Sequence, residues 1–160
     1  MIASTTMTMT SSSSTVSSGN MQYRWNSTGK TVAGVGVIAG ISPNLLTYPC
    51  GIVLDASNTL YIADSGSHRV QSWLFGASSG TTVAGQSNGA TGTALNFLST
   101  PNDVAVDTNG GNVYVVDTYN HRVVRWNVNA RVGTVVAGTG KENSSASENR
   151  LSSTTQFQHL

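Results

Sequence analysis

The sequence predicts an all-β protein built from repeated units of four antiparallel strands. The first observation is an internal repeat: residues 49–73 read PCGIVLDASNTLYIADSGSHRVQSW and residues 101–126 read PNDVAVDTNGGNVYVVDTYNHRVVRW. Matching residues recur about fifty positions apart, a period typical of repeat architectures. The second observation is that short segments rich in β-branched and aromatic residues alternate with Gly, Ser and Asn, as strands alternate with tight turns.

Each complete unit contains four such segments. We expect strands near residues 51–55, 60–64, 69–73 and 81–85 in the first unit, and near 103–107, 113–117, 122–126 and 134–138 in the second. Asn109-Gly110-Gly111 provides residues that tolerate φ > 0 between the first two strands of the second unit. Four antiparallel strands in a repeat of this length indicate a β-propeller blade.

The chain divides into three regions by composition. Residues 1–19 are almost entirely Ser, Thr and Met, and we expect a disordered tail or linker because such residues bury little apolar surface. Residues 20–138 hold the blades, and residues 139–160 read as a polar connector to a missing next blade. The expected blades are a half blade at 21–40 and complete blades at 49–85 and 101–138. About two and a half blades of a six-bladed ring suggest a fragment, or a chain that associates with itself.

Composition limits the classes of partner. Charged residues make up only 9% of the chain and the formal net charge is +1, so no strong field attracts nucleic acid or an anionic membrane. No apolar run is long enough to span a bilayer. One cysteine excludes an intrachain disulfide, and the N-terminal residues do not resemble a usual secretory signal.

The motifs within the units resemble the NHL repeat, a family of β-propeller blades. The similarity rests on P-x-G-I-x-x-D from Pro49, on LYIADSGSHRVQ from Leu60 and on the TVAG segments. Its most specific part is D-x-x-x-H-R-V, at residues 64–70 and 117–123. The resemblance implies a ring, usually of six blades. It also implies a surface that binds protein or RNA in most members, whereas a minority of members are enzymes.

An Asp, a His and an Arg occur at the same places in both units, and we expect each set to form a structural clasp. The aspartate would accept hydrogen bonds from turn backbone while His and Arg close the corner, satisfying polar groups that are costly to bury. A ligand or catalytic role is the alternative. One His per blade gives no compact tetrahedral metal site, so we assign no catalytic residue, metal or cofactor. The clasp residues are Asp64, His68, Arg69, Asp117, His121 and Arg122.

Residues that differ between the units are better candidates for contact with a partner. Tyr119 replaces Gly66 on a loop, Tyr48 lies beside the first Pro, and Asn102-Asp103 replaces Cys50-Gly51. Exposed aromatics are enriched at binding hot spots. The Pro-Asn-Asp run also looks like the metal-proximal segment of sugar-lactonase propellers. The partner candidates are Tyr48, Asn102, Asp103, Tyr119 and Asn120.

We therefore expect a non-catalytic module that binds a protein or peptide. The alternatives are part of a metal-dependent propeller enzyme of the lactonase or lyase kind, and an RNA-binding domain. Trp25, Trp73 and Trp126 end the third strands and are expected to pack blade against blade. Uncovered blade faces predict self-association.

Overall fold

The computed structural model describes residues 3–4, 28–107, 111–127 and 129–140. Within these residues the regular structure consists of short strands and two 3₁₀ turns, Ser65–Ser67 and Thr118–Asn120. The strands are β1 Ala3–Ser4, β2 Lys30–Thr31, β3 Pro49–Leu54, β4 Leu60–Asp64, β5 Arg69–Trp73, β6 Thr81–Gly85, β7 Pro101–Val106, β8 Asn112–Asp117, β9 Arg122–Asn127 and β10 Thr134–Gly138. The prediction of an all-β fold is confirmed.

Eight of these strands form two sheets of the same design. β3, β4, β5 and β6 pair in sequence order as one antiparallel sheet, blade 1, and β7 to β10 form an equivalent sheet, blade 2. β1 and β2 form a separate antiparallel pair in which Ala3 faces Thr31. Strands β3 and β7 begin at Pro49 and Pro101, earlier than expected, because proline fits the first position of a strand, where its missing N–H breaks no ladder bond.

Both blades are irregular at the same places. The pairing of the first two strands shifts just after the proline, between Pro49 and Ile52 in blade 1 and between Pro101 and Asp103 in blade 2. The outer pair shifts again around Val83 in β6 and Val136 in β10. Such bulges bend a strand and increase its twist. The repeat in sequence therefore reproduces the curvature of the blade as well as its strand order.

The two blades pack face to face through one apolar core. Leu98 lies fully buried between them, with Trp126 from blade 2 and Val70 from blade 1. The first strands approach closely, because a Cβ on Gly51 would stand 2.6 Å from the Cα of Asp103. A bulkier residue at position 51 would force β3 and β7 apart.

The opposite face of blade 1 carries a smaller core. Trp73 is only 3% exposed and packs with Ile62 against Leu46 and Ala33, which precede the blade. Trp126 is 2% exposed in the core between the blades, so packing of blade against blade is confirmed for Trp126, whereas Trp73 packs against the segment ahead of blade 1. Trp25 lies outside the described residues.

Several predicted regions fall mainly outside the described structure. Apart from residues 3–4, the expected tail at 1–19 is not described, and neither is the connector from residue 141 onward. The described part of the expected half blade, from residue 28, contains β2 and an isolated bridge between Val35 and Ile38. Among the described residues, no helix has the length and apolar character needed to cross a membrane.

Candidate functional site

Many of the motif residues that recur in both units meet at one edge of the two sheets, which we call the joint edge. It comprises the joints that enter each blade, residues 47–49 and 99–101, and the 3₁₀ turns with the histidine that follows each, residues 65–68 and 118–121. Backbone hydrogen bonds join the two parts within a blade. The N–H of Gly66 donates to the carbonyl of Thr47 over 2.8 Å, and the N–H of Tyr119 donates to Ser99 over 3.1 Å.

Four residues on this edge adopt the left-handed backbone conformation. His68 and His121 close the 3₁₀ turns with φ of 52° and 49°, and Tyr48 and Thr100 precede the prolines with φ of 47° and 51°. The residue before proline normally adopts extended φ and ψ, and left-handed non-glycine residues persist only where the surroundings hold them. The hydrogen bonds around each joint do so.

In blade 1 a buried carboxylate connects the joint to β5. One oxygen of Asp64 accepts the N–H of Thr47 over 2.6 Å, and the other accepts Nε of Arg69 over 2.9 Å. Both side chains are at most 1% exposed. Because water cannot replace either partner here, the joint and the third strand are held at a fixed separation.

Blade 2 repeats this arrangement with one addition. Asp117 accepts the N–H of Ser99 over 2.6 Å and Nε of Arg122 over 2.7 Å. Its second oxygen also accepts the amide of Asn120 over 2.9 Å, and that amide also donates to the carbonyl of Gly92. The side chain of Asn120 is therefore a third support of the carboxylate.

The two arginines extend this network to the loops ahead of their blades and, for Arg69, also to Ser87 just after blade 1. Each guanidinium donates from its terminal nitrogens to backbone carbonyls, over distances of 2.6 to 3.2 Å. The acceptors are Ile41, Ser42, Leu45 and Ser87 for Arg69, and Thr93, Ala94 and Phe97 for Arg122. Carbonyl acceptors leave no pattern in the sequence, so sequence reasoning missed these partners.

The histidine of blade 1 has a different role from the one expected. The Nδ1 atom of His68 accepts the N–H of Thr100 over 3.0 Å, so the residue connects its turn to the joint of the next blade. The hydroxyl of Ser65 donates to the carbonyl of Pro101 at the same boundary. The corner of blade 1 is closed by Asp64 and Arg69, and the Gln71 amide donates to Asp64 over 3.5 Å and to the carbonyl of Leu45 over 3.1 Å. His68 makes its bond across to blade 2 instead.

Each blade presents one exposed tyrosine on the joint edge. Tyr48 is 82% exposed at the joint of blade 1, and Tyr119 is 70% exposed in the turn of blade 2. The position of the aromatic residue differs between the blades. In blade 1 Tyr48 lies in the joint and the turn carries Gly66, where an added Cβ would stand 3.0 Å from the Tyr48 ring. In blade 2 the joint carries the smaller Thr100 beside Tyr119.

The other candidates for partner contact differ in accessibility. Asn102 is exposed, whereas Asp103 is half-buried and its Oδ1 accepts its neighbour's N–H, that of Val104, over 2.9 Å. Asn120 is only 5% exposed, which contradicts its selection as a surface contact. Its amide is occupied by Asp117 and Gly92, so its role is internal.

Away from the joint edge, the described residues offer few reactive or metal-binding side chains. Over the described ranges, no three His, Cys, Asp or Glu side chains come together as a group that could hold a metal ion. Cys50 is an exposed free thiol. Burial, and then the neighbouring negative charge and hydrogen bond of Asp55, raise the pKa of the Tyr61 hydroxyl above its usual value. This tyrosine lies in the core between the blades, away from the joint edge.

The comparison with protein families agrees with the repeat seen in the two blades. The family model of the NHL repeat matches residues 46–72 and 98–126, from the joint of each blade into its third strand. A crystal structure of a proposed 6-phosphogluconolactonase from Bacteroides uniformis is similar at 9% sequence identity, with a TM-score of 0.41. That match covers 74% of this chain and 34% of the other, so this chain spans about a third of its length. No curated protein sequence matches. Within blades 1 and 2, residues 46–72 and 98–126 match two NHL repeats.

Proposed function

We propose that the chain is a non-catalytic binding module whose joint edge captures a weakly charged peptide segment of a protein partner. The observation that carries the proposal is the pair of exposed tyrosines, Tyr48 at 82% and Tyr119 at 70% exposure. Tyrosine buries a large ring while keeping a hydroxyl for hydrogen bonding, and it is enriched among the residues that dominate binding energy.

A continuous line of contacts places both tyrosines along the same edge. Tyr48 lies against Gly66 in the turn of blade 1, and His68 of that turn accepts the N–H of Thr100 at the next joint. The neighbouring carbonyl of Ser99 then accepts the N–H of Tyr119. A peptide following this line would meet the two rings in succession.

The backbone beneath the tyrosines supports a preorganised surface. Thr47, which precedes Tyr48, is held by Asp64, and Ser99 is held in the same way by Asp117. A surface whose backbone is already fixed loses less conformational entropy on binding. The tyrosine side chains themselves have few rotatable bonds, which lowers that cost further.

The chemistry of the edge favours a partner of low charge. The joint edge contains no Lys, Arg, Asp or Glu residue, and the whole chain has a formal net charge of +1. Electrostatic attraction therefore contributes little, and ring burial with hydrogen bonding would supply the affinity. RNA binding would require a basic surface.

A random peptide display library selected on the full chain tests the proposal. We expect enrichment of peptides that bind the wild type, and a loss of affinity of at least about tenfold in the Tyr48→Ala, Tyr119→Ala double variant. Titration calorimetry with a synthesised peptide would measure this change. Phe75→Ala is the matched control, because Phe75 is 91% exposed beyond the far end of β5.

The two outcomes are distinct. Affinity that depends on the tyrosines and is unchanged by Phe75→Ala supports a binding edge at the joints. Selection that yields no peptide, or peptides that bind the double variant as well as the wild type, would overturn the proposal.

A further inference from the structure

A cleft lies between the last strand of blade 1 and the loop that joins β9 to β10 in blade 2. Its volume is about 440 Å³, within the range of ligand sites in proteins. One wall is the run of residues 82–87, which comprises most of β6 and the segment after it, and the other is residues 130–132. The amide of Gln86 donates to the carbonyl of Asn96 over 2.7 Å and joins the two sides. None of these residues belongs to the joint edge, so the cleft is a separate surface.

The wall formed by β6 offers the free edge of a sheet. In the part of the chain that the structure describes, β6 is the last strand of blade 1 and pairs with β5 alone. Such an edge presents N–H and C=O groups to which an extended peptide can add. The bulge at Val83 interrupts the edge. Because bulges hinder open-ended strand pairing, the edge suits a short segment.

The opposite wall carries a positive charge without a partner. Arg131 is exposed, and it is the single ionisable side chain among the described residues that line the cleft. Both arginine–aspartate ion pairs of the described residues involve other arginines. A guanidinium beside a cleft that holds no carboxylate is complementary to a carboxylate on the ligand.

Apolar side chains lie beside this charge. Val132 lines the cleft and is 55% exposed. Val83 and Ala130 also line it, and both are half-buried because they pack against the core between the blades. The cleft therefore offers an apolar contact and a cation close together.

The charge and the exposed valine are not required by the fold. Residues 74–80 of blade 1 read LFGASSG and correspond to NVNARVG at residues 127–133. The last glycine of each loop donates its N–H over 2.8 Å to the segment ahead of its blade, which supports this alignment. Arg131-Val132 then stands where blade 1 has Ser78-Ser79. Since the loop of blade 1 makes the same bond with serines, the arginine and valine are free to serve binding.

We infer that this cleft binds a short extended peptide that carries an acidic residue close to an apolar one. The peptide backbone pairs with the free edge of β6, and its carboxylate forms an ion pair with Arg131. Its apolar side chain packs against Val83 and Val132. The inference is independent of the joint edge, where the expected partner is weakly charged.

The test selects a peptide display library on the full chain with Tyr48→Ala and Tyr119→Ala, so that the joint edge does not contribute. We expect enrichment of Asp or Glu close to an apolar residue. A synthesised peptide from this selection should bind at least about tenfold more weakly when Arg131→Ser is added, because a charge-assisted hydrogen bond is lost. Fluorescence polarisation of the labelled peptide would measure this change. Lys30→Ser is the matched control, since it removes an exposed positive charge outside the cleft.

Two further measurements separate recognition from folding and from unspecific attraction. Binding should slow hydrogen exchange at backbone amides of residues 82–85 and leave Ser99 and Thr100 unchanged. Arg131→Glu should lose the acidic peptide and bind the same peptide with Lys in place of its acidic residue. A selection without acidic enrichment, an affinity that Arg131→Ser leaves unchanged, or unaltered exchange in β6 would overturn the inference. None of these results bears on the joint edge, because the selected protein lacks its tyrosines.

Discussion

At the scale of single residues, the buried pair of Asp64 and Arg69 holds the entrance to blade 1. The carboxylate accepts one bond from the joint and one from the guanidinium. The terminal nitrogens of the guanidinium hold backbone carbonyls of the loop before the blade and the carbonyl of Ser87 after it. A buried ion pair is weak evidence for stability as a whole, but removal of one partner leaves an uncompensated charge. The pair therefore matters most when it is broken.

Asp64→Asn tests this directly. The amide keeps the shape of the side chain but leaves the guanidinium of Arg69 buried without its counter-charge, so the free energy of unfolding should fall by about 3–5 kcal/mol. Urea denaturation followed by tryptophan fluorescence would measure the change. Asp103→Asn is the control, since Asp103 is half-buried without an arginine partner, and it should cost about 1 kcal/mol. If both variants lost the same free energy of unfolding, removing the charge of Asp64 from its ion pair would cost no more than removing the charge of Asp103.

The residue scale is also where sequence reasoning was weakest. Asp64 and Arg69 were predictable as a pair because the motif recurs in both units, but nothing in the sequence marks a carbonyl as a ligand of a guanidinium. The bond from His68 to the next blade was missed because its acceptor and donor are 32 positions apart. Asn120 was misplaced because a polar residue in a turn is usually exposed, whereas here Asp117 requires its amide.

At the scale of the element, strand bounds followed closely from the sequence. Segments of alternating apolar residues, separated by turn residues, predicted β4, β5, β6 and β10 with the bounds that the structure has. The 3₁₀ turns were not predicted, since three residues are too few to show a period. The bulges at Val83 and Val136 were also missed, because an extra residue in a strand only interrupts an alternating pattern.

A glycine at the end of β6 allows the blade to close over its turn. Gly85 has φ of 77°, and a Cβ there would lie 2.5 Å from the carbonyl oxygen of His68. Gly76 has the same φ, with nothing within 4 Å of an added Cβ. Gly76→Ala should therefore cost only the left-handed backbone penalty, about 1–2 kcal/mol, whereas Gly85→Ala should cost more by at least about 2 kcal/mol because backbone must move.

Thermal denaturation of the two variants side by side would measure the difference. Their common φ removes backbone strain from the comparison, so any excess loss in Gly85→Ala reports the collision alone. If both variants lose the same stability, the close approach of β6 to the turn is relaxed in solution.

At the scale of the whole molecule, the two blades share one core and are expected to unfold together. Leu98 precedes the joint of blade 2, is completely buried and contacts both sheets. Neighbouring repeats depend on the interface between them for much of their stability. A defect at Leu98 should therefore be felt equally in both blades.

Leu98→Ala should lower the free energy of unfolding by about 2–5 kcal/mol, through lost burial and the cavity left behind. Leu74→Ala, at a side chain that is 69% exposed, should change it by less than about 0.5 kcal/mol. Variants that retain only Trp73 or only Trp126, with and without Leu98→Ala, would report the blades separately. Two separate transitions would contradict a shared core.

The arginine contacts have a consequence for how the loops ahead of the blades can diversify. Residues 41–45 read ISPNL and residues 93–97 read TALNF, and only the asparagine is common to both. In each case the guanidinium donates hydrogen bonds to backbone carbonyls of the loop. The carbonyl of the middle residue, Pro43 or Leu95, accepts a further backbone N–H. Because these bonds are made to backbone carbonyls, they do not depend on which side chains the loop carries. The two loops can therefore differ at almost every position and still follow the same backbone course.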